Sequence, residues 1–410
     1  MASEKTGDCT ILYLSGLLRS VATGGVGVLF GIYLSRLGLS PRELGFVVAA
    51  GLAGGATATL LVTLADRAPR RATLIRLAVL SGAGGLAVAL VSGPGALAAL
   101  AFLGMLNGMG RDRGAALVLE TAILSGTVSD EKRTHAFAWY HLLQDVGLAL
   151  GALLAGLPEV LRHVTSLGEI ASLRAMLGAC AGLSLAPAFL YSFLSARVEA
   201  PPAGQAVRLS SDGRRVIWKI SALFLIDSLA GGFLSTALLS FFFFERFGVG
   251  EVVVAVLFFG ARVLNALSHL AAAWLARRIG LLNTMVFTHI PSSLLLATAV
   301  VAPSFPIAAI LFLLREGLVE MDVPTRQSYV MAVIPPSERI VASGVTHLVR
   351  MAGWAIGPAL AGLMIQGTAL AVPFLAGAGL KITYDVLLFG AFRRFKPPEE
   401  RKEAIPGENS

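Results

Sequence analysis

Apolar segments of about 20 residues recur along almost the whole chain, and this repetition most narrowly constrains its fold. A helix of that length crosses the hydrocarbon core of a bilayer, which is roughly 30 Å thick. Charged residues make up only 14% of the chain, whereas soluble domains carry roughly 25%. The sequence therefore predicts an all-α polytopic membrane protein.

The spacing of these segments predicts twelve transmembrane helices in two halves. The predicted spans are residues 11–35, 43–65, 73–92, 96–125, 134–157, 170–194, 215–244, 250–276, 282–302, 304–332, 339–366 and 370–392. A stretch rich in Pro, Gly and Ser follows the sixth span and is typical of a linker. We therefore expect an N-terminal six-helix bundle (1–194), a cytoplasmic linker (195–214), a C-terminal six-helix bundle (215–394) and a cytoplasmic tail (395–410).

Lys and Arg concentrate in the even-numbered connections and in the tail. Positively charged loops remain in the cytoplasm, so we expect both termini to be cytoplasmic and the protein to lie in the cytoplasmic (inner) membrane. The net charge of +8 is then a topology signal and not a nucleic-acid-binding surface. We expect a monomer in the lipid bilayer.

The two halves repeat each other. His141 and His347 lie 206 positions apart, and several glycines match at the same offset. Near the start of each half, RSVATGG at Arg19 aligns with DSLAGGF at Asp227. Parallel repeats of this kind are related by an axis along the membrane normal and enclose a cleft, and rocking them about the cleft gives alternating access.

Several motifs resemble those of the major facilitator superfamily. LADRAPRR at 64–71 is similar to its second cytoplasmic connection, and SDEKR at 129–133 and PPSER at 335–339 to the charged starts of its fifth and eleventh spans. GWAIGPALAG at 353–362 is similar to the Gly-Pro motif of its drug/proton antiporter (efflux) branch. The resemblance implies a twelve-helix transporter fold, with Asp66, Arg67 and Arg71 as a conformational latch.

The fourth span carries Arg111, Asp112 and Arg113 about halfway along its length. A charge at the bilayer centre costs roughly 3 kcal/mol on insertion scales, so three in a row cannot all face lipid. Successive residues of this helical span point about 100° apart, so the triplet covers a wide arc. We expect these side chains to face a wet cleft or partners on neighbouring spans; the resemblance implies that the first, fourth, seventh and tenth spans line that cleft.

Other deep charges supply candidate site residues. The candidates for substrate binding are Arg19, Asn107, Arg111, Arg113, Asp227 and Arg350. Among them, Arg19, Arg113 and Arg350 are expected to hold an anionic or polar group, because guanidinium groups bind carboxylates or phosphates bidentately. The candidates for proton coupling are Asp112, Asp227, Glu316 and Asp322, because a moving arginine changes how readily a buried carboxylate binds a proton. For each residue the structural alternative is a buried salt bridge; Lys381 and Asp385 are expected to pair with each other in this way.

The sequence favours a secondary active transporter of a small molecule that works by proton-coupled efflux. One alternative is a carrier of an organic or inorganic anion held by the central arginines, and another is a non-transporting receptor or scaffold. An enzyme is not expected, because a Gly-rich phosphate loop and a Cys/His cluster with metal spacing are both missing from the sequence. We expect no catalytic residue, no metal and no cofactor.

Overall fold

The computed structural model describes residues 2–64, 68–199, 210–322, 326 and 338–392. The helices are α1 (Ala2–Arg36), α2 (Pro41–Leu64), α3 (Arg70–Leu90), α4 (Pro94–Leu103), α5 (Ala115–Thr127), α6 (Asp130–Leu154), α7 (Leu157–Val164), α8 (Glu169–Tyr191), α9 (Ser211–Phe233), α10 (Thr236–Phe247), α11 (Glu251–Ile279), α12 (Leu281–Val301), α13 (Phe305–Val319), α14 (Arg339–Gly367) and α15 (Val372–Phe392).

Ten helical segments of this described part are long and apolar enough to cross a membrane. The shorter apolar helices α4 and α5 together occupy the place of the predicted fourth span. Helices α9 and α10 follow each other along the seventh span, and α13 begins the tenth. The all-α polytopic fold predicted from the sequence is confirmed, and these segments are compatible with twelve crossings.

The glycines that repeat between the halves pack equivalent helix pairs. A Cβ atom on Gly151 of α6 would lie 2.0 Å from the carbonyl oxygen of Val21 on α1. A Cβ atom on Gly357 of α14 would lie 2.5 Å from the Cα of Gly232 on α9. Small residues permit such close backbone approach in lipid, where packing rather than the hydrophobic effect holds helices together.

The two bundles meet tightly at the face where α1 ends, called here the closed face. A Cβ atom on Gly45 of α2 would lie 2.4 Å from the carbonyl oxygen of Pro358 on α14. At the same face, Arg162 Nη2 on α7 forms an ion pair with Glu251 Oε2 on α11, at a distance of 2.5 Å. The hydrogen bonds and ion pairs between bundles within the described ranges lie at this face or near the middle of the molecule. These bonds of the described residues are thus concentrated away from the opposite face, called here the termini face.

The fourth span is interrupted, so the expected continuous helix over 96–125 is wrong. Helix α4 ends at Leu103, and α5 begins only at Ala115. The intervening residues 104–114, called here the unwound segment, include four glycines, and glycine lowers helix stability by about 1 kcal/mol per residue. Met105 and Gly110 adopt left-handed backbone conformations with φ of 52° and 65°.

Backbone groups of the unwound segment bond to the other bundle. The Ala237 N–H, in the first turn of α10, donates to the carbonyl oxygen of Gly108 (2.9 Å). The Thr236 hydroxyl donates to the carbonyl oxygen of Met109 (2.8 Å), and Arg262 to that of Gly110 (2.8 Å). One carbonyl freed by the helix break thus pairs with an N–H group at a helix start, and the other two pair with side-chain donors of the other bundle.

Candidate functional site

A cavity of about 570 Å³ lies between the two bundles and is called here the central cavity. Four of the predicted site residues line it: Arg111, Asp112 and Arg113 from the unwound segment, and Arg350 from α14. The matched histidines, His141 and His347, line opposite walls. The wall is polar because the break in the fourth span places three consecutive charged residues at one place, without the 100° rotation that a helix would impose.

Arg19 lies in the N-terminal bundle within a group called here the Arg19 cluster (Arg19, Asp112, Glu120, Tyr140 and Tyr191). Its Nε lies 2.6 Å from Asp112 Oδ2, and its Nη2 lies 2.5 Å from Glu120 Oε2. Glu120 has no exposed surface and also accepts hydrogen bonds from the hydroxyls of Tyr140 and Tyr191. The Arg19 guanidinium is thereby held between two carboxylates, and its contact with substrate stays a prediction.

Asp227 lies in the C-terminal bundle at the centre of three cations, called here the Asp227 cluster (Asp227, Arg326, Arg350 and Lys381). Its Oδ1 accepts from Lys381 Nζ (2.9 Å), and its Oδ2 lies 3.4 Å from both Arg326 Nη1 and Arg350 Nη2. Of these side chains, Arg350 and Arg326 also line the central cavity. Asp227 is therefore linked to the cavity through its arginine partners.

The expected direct pair of Lys381 with Asp385 is replaced by a chain through His289. Asp385 lies 2.9 Å from His289 Nδ1, and the other ring nitrogen lies 3.2 Å from Lys381 Nζ. The i,i+4 spacing places both residues on one helix face, but a buried ring on α12 reaches between them. In the sequence, this third partner is visible merely as a histidine within an apolar run.

The predicted proton-coupling carboxylates of the tenth span also have basic partners. Asp322 lies 2.5 Å from Arg326 Nη1, and Glu316 pairs with the adjacent Arg315. Glu320, which the sequence did not single out for this role, pairs with Arg111 across the two bundles. Each of these carboxylates thus loses its basic partner only if an arginine moves. Their role in proton coupling stays a prediction.

Arg113 differs from its neighbours in the unwound segment. Its guanidinium carbon lies 4.8 Å from the ring centroid of Trp354, and that of Arg350 lies 4.9 Å from the same centroid. No carboxylate of the described ranges lies within ion-pair distance of Arg113. In the same cavity wall, Asn265 Oδ1 and His347 Nε2 are buried without a hydrogen-bond partner among the described residues. Asn265 was noted in the sequence among the deep polar residues but not as a site residue, and Trp354 was not singled out.

Two further predicted residues have local structural contacts. The Asn107 side chain donates to the Arg111 carbonyl (2.5 Å) and accepts from the Met109 N–H (3.0 Å), so it shapes the unwound segment. The Arg71 N–H donates to Glu199 Oε1 (3.0 Å) within its own bundle. Asp66 and Arg67 lie outside the described residues, and the latch stays a prediction.

A family model described as Major Facilitator Superfamily matches residues 12–318. The chain belongs to this superfamily. It is therefore a multi-pass membrane transporter and not an enzyme. An uncharacterized membrane protein of Saccharomyces cerevisiae is 22% identical over 416 residues, and the match covers 93% of each chain.

Solved structures of superfamily proteins share the fold. The crystal structure of a D-xylose-proton symporter has a TM-score of 0.76 at 16% identity, and the match covers 94% of this chain and 97% of that one. A mutant of the nucleoside transporter NupG has a TM-score of 0.75 at 16% identity, covering 94% of this chain and 100% of that one. At such identities the likeness shows the fold alone.

Proposed function

We propose that this protein is a proton-coupled carrier of a small organic anion, which it binds in the central cavity and moves by alternating access. The supporting observation is Arg113, a cavity-lining guanidinium with no carboxylate partner in the described ranges. Arg350 lies against the same Trp354 ring. Guanidinium groups stay charged and bind carboxylates or phosphates bidentately, so an anion is the complementary ligand.

The sharing of Arg350 between the cavity and Asp227 supports proton coupling. An anion that draws Arg350 toward the cavity removes one cationic partner from Asp227. A carboxylate with fewer cationic partners binds a proton more readily. Binding free energies are reciprocal, so anion and proton each favour the binding of the other, which supports cotransport.

The protein is proposed to lie in the cytoplasmic membrane, with the termini face toward the cytoplasm. The proposed functional unit is a monomer. The positive charge of the even-numbered connections supports this placement. The conformation described here is then inward-facing. In the outward-facing conformation, the Arg162–Glu251 ion pair of the closed face would break, and Asp66, Arg67 and Arg71 would form the latch at the termini face.

Export by proton antiport is the second candidate. It is supported by the Gly-Pro motif at 353–362, which packs through Pro358 and Gly362 against Gly45 at the closed face. In an antiporter, substrate and proton compete for one site, whereas the shared Arg350 makes them cooperative. The direction of proton movement therefore separates the two candidates.

The test uses purified protein in liposomes that contain a pH-sensitive dye. A thermal-shift panel of small carboxylates and phosphates first identifies a binding anion. Adding that anion outside should acidify the lumen by cotransport, whereas antiport would make it alkaline. Anion transport that is unaffected by a pH gradient of either sign would exclude proton coupling.

Arg113→Gln should abolish the anion-dependent thermal shift. Its matched control is Arg278→Gln, because Arg278 also lies over a tryptophan, 4.6 Å from the Trp274 ring centroid, but at the exposed end of α11. Anion binding that survives in Arg113→Gln, or that is lost equally in both variants, would contradict the proposed site.

A further inference from the structure

A second cavity of about 130 Å³, called here the side pocket, lies in the N-terminal bundle and is bounded on one side by Met351 and Trp354 of α14. Its walls come from α1, α2, α3 and α8, with side chains such as Val26, Leu52, Leu77 and Leu177. The unwound segment closes the remaining side. The side pocket is therefore largely apolar, in contrast to the central cavity.

The side pocket exists because the fourth span is interrupted beside small residues. Gly55 of α2 lines it, and a Cβ atom there would meet nothing within 4 Å. The unwound segment is held toward α10 by its carbonyl hydrogen bonds, so it does not fill the bundle interior with helix side chains. Ordered water is poorly held in an apolar space of this kind. The transfer of a hydrocarbon group from water into it is favourable.

The side pocket and the central cavity adjoin at residues that line both: Arg111, Asp112, Arg113 and Trp354. At this boundary Arg111 is paired with Glu320 and Asp112 with Arg19. Gln144 also donates to Asp112 (3.3 Å). Among the described residues, Arg113 is thus the charged side chain at this boundary that has no ion-pair partner. The apolar side pocket lies on one side of it and the polar central cavity on the other.

We propose that the side pocket holds the apolar part of the transported anion while its charged group lies at Arg113. This inference rests on the proposed anion site and narrows its substrate class to an amphiphilic anion: a carboxylate, sulfonate or phosphate that carries a short hydrocarbon chain or ring. Asp145, which lines the central cavity from α6, disfavours an anion at its own wall and so favours the Arg113 side.

The experiment measures the binding of a series of straight-chain carboxylates, from acetate through butanoate to hexanoate, to the full chain in lipid nanodiscs. Affinity should rise roughly fourfold for each added methylene until the side pocket is full. Neutral alcohols of equal length measure partition into the lipid. They should show no Arg113-dependent binding.

Gly55→Leu should fill the side pocket and remove the dependence on chain length while leaving acetate affinity unchanged. Gly182→Leu is the matched control, because Gly182 lies exposed on α8, where a Cβ atom also meets nothing within 4 Å. If Gly55→Leu does not fold, Ser81→Val fills the pocket from α3 and should give the same loss.

The outcomes separate this inference from the proposed function. Equal affinity for acetate and hexanoate, with binding still abolished by Arg113→Gln, would overturn the side pocket and leave the anion site standing. Chain-length dependence that persists in both pocket-filling variants would also overturn the side pocket. Absence of carboxylate binding, or binding that ignores Arg113→Gln, would overturn the proposed function itself.

Discussion

The Arg19 cluster and the Asp227 cluster lie at matching positions of the two repeats but carry opposite charges at their centres. In the N-terminal bundle one guanidinium is held by two carboxylates and two tyrosine hydroxyls. In the C-terminal bundle one carboxylate is held by three cations. The repeat has thus kept the location of a buried polar cluster while its sign has reversed.

This reversal makes the two clusters respond differently to the loss of the central residue. Two carboxylates left without Arg19 can become neutral by taking up protons. Arginines left without Asp227 cannot lose their charge in the same way, because the guanidinium stays protonated in proteins. The Asp227 cluster is therefore the more dependent of the two on a single side chain.

Asp227→Asn should produce the largest effect. Removing one partner of a buried ion pair costs roughly 3–5 kcal/mol of stability, and here three cations lose their shared carboxylate. We expect a lower melting temperature and no anion-driven proton movement in liposomes. Arg19→Gln should lose less stability at neutral pH; equal losses would show that the sign of the cluster does not matter.

Tyr191→Phe should have an intermediate effect. The Tyr191 hydroxyl is bonded to Arg19 (2.9 Å) and to Glu120 (2.6 Å), and leaving buried polar groups without a partner costs roughly 1–3 kcal/mol. Tyr13→Phe is the control, because that hydroxyl makes a single bond to the Ala136 carbonyl (3.2 Å) and is only partly buried. A melting temperature as high as that of the control would show that the hydroxyl contributes little to the Arg19 cluster.

The smallest effects should come from two carboxylates at the termini face, where the halves have the same sign. Glu199 accepts from the N–H groups of Arg70 (2.6 Å) and Arg71 (3.0 Å) at the start of α3. Glu338 accepts from the Ser210 N–H (3.0 Å) at the start of α9. Glu199→Ala and Glu338→Ala should each cost about 1 kcal/mol, as helix caps do. Chemical unfolding should show similar losses in the two variants.

The fold was accessible from the sequence because the length of an apolar segment directly reflects bilayer thickness. The partners of buried charges were not accessible in this way. Arg111 and Arg113 are the same residue type two positions apart, yet one pairs with Glu320 of the other bundle and the other faces the cavity. Only the relative placement of the two bundles decides which guanidinium stays free.

The interruption of the fourth span is a second feature that could not be predicted from the sequence. Its glycines were visible, but the apolar length favoured one continuous helix. The break is stabilised by the Ala237 N–H and the Thr236 hydroxyl of α10, which lie far away along the chain. Glu120 was overlooked for a related reason: a single carboxylate in an apolar run is informative only once Tyr140 and Tyr191 are seen to surround it.

The hydrogen bonds from the start of α10 to the Gly108 and Met109 carbonyls have an evolutionary consequence. Both acceptors are peptide groups, which every residue carries, and one of the two donors is the Ala237 N–H. Side chains around the cavity can therefore diversify, and a lineage can acquire new cargo, while this contact between the bundles is kept.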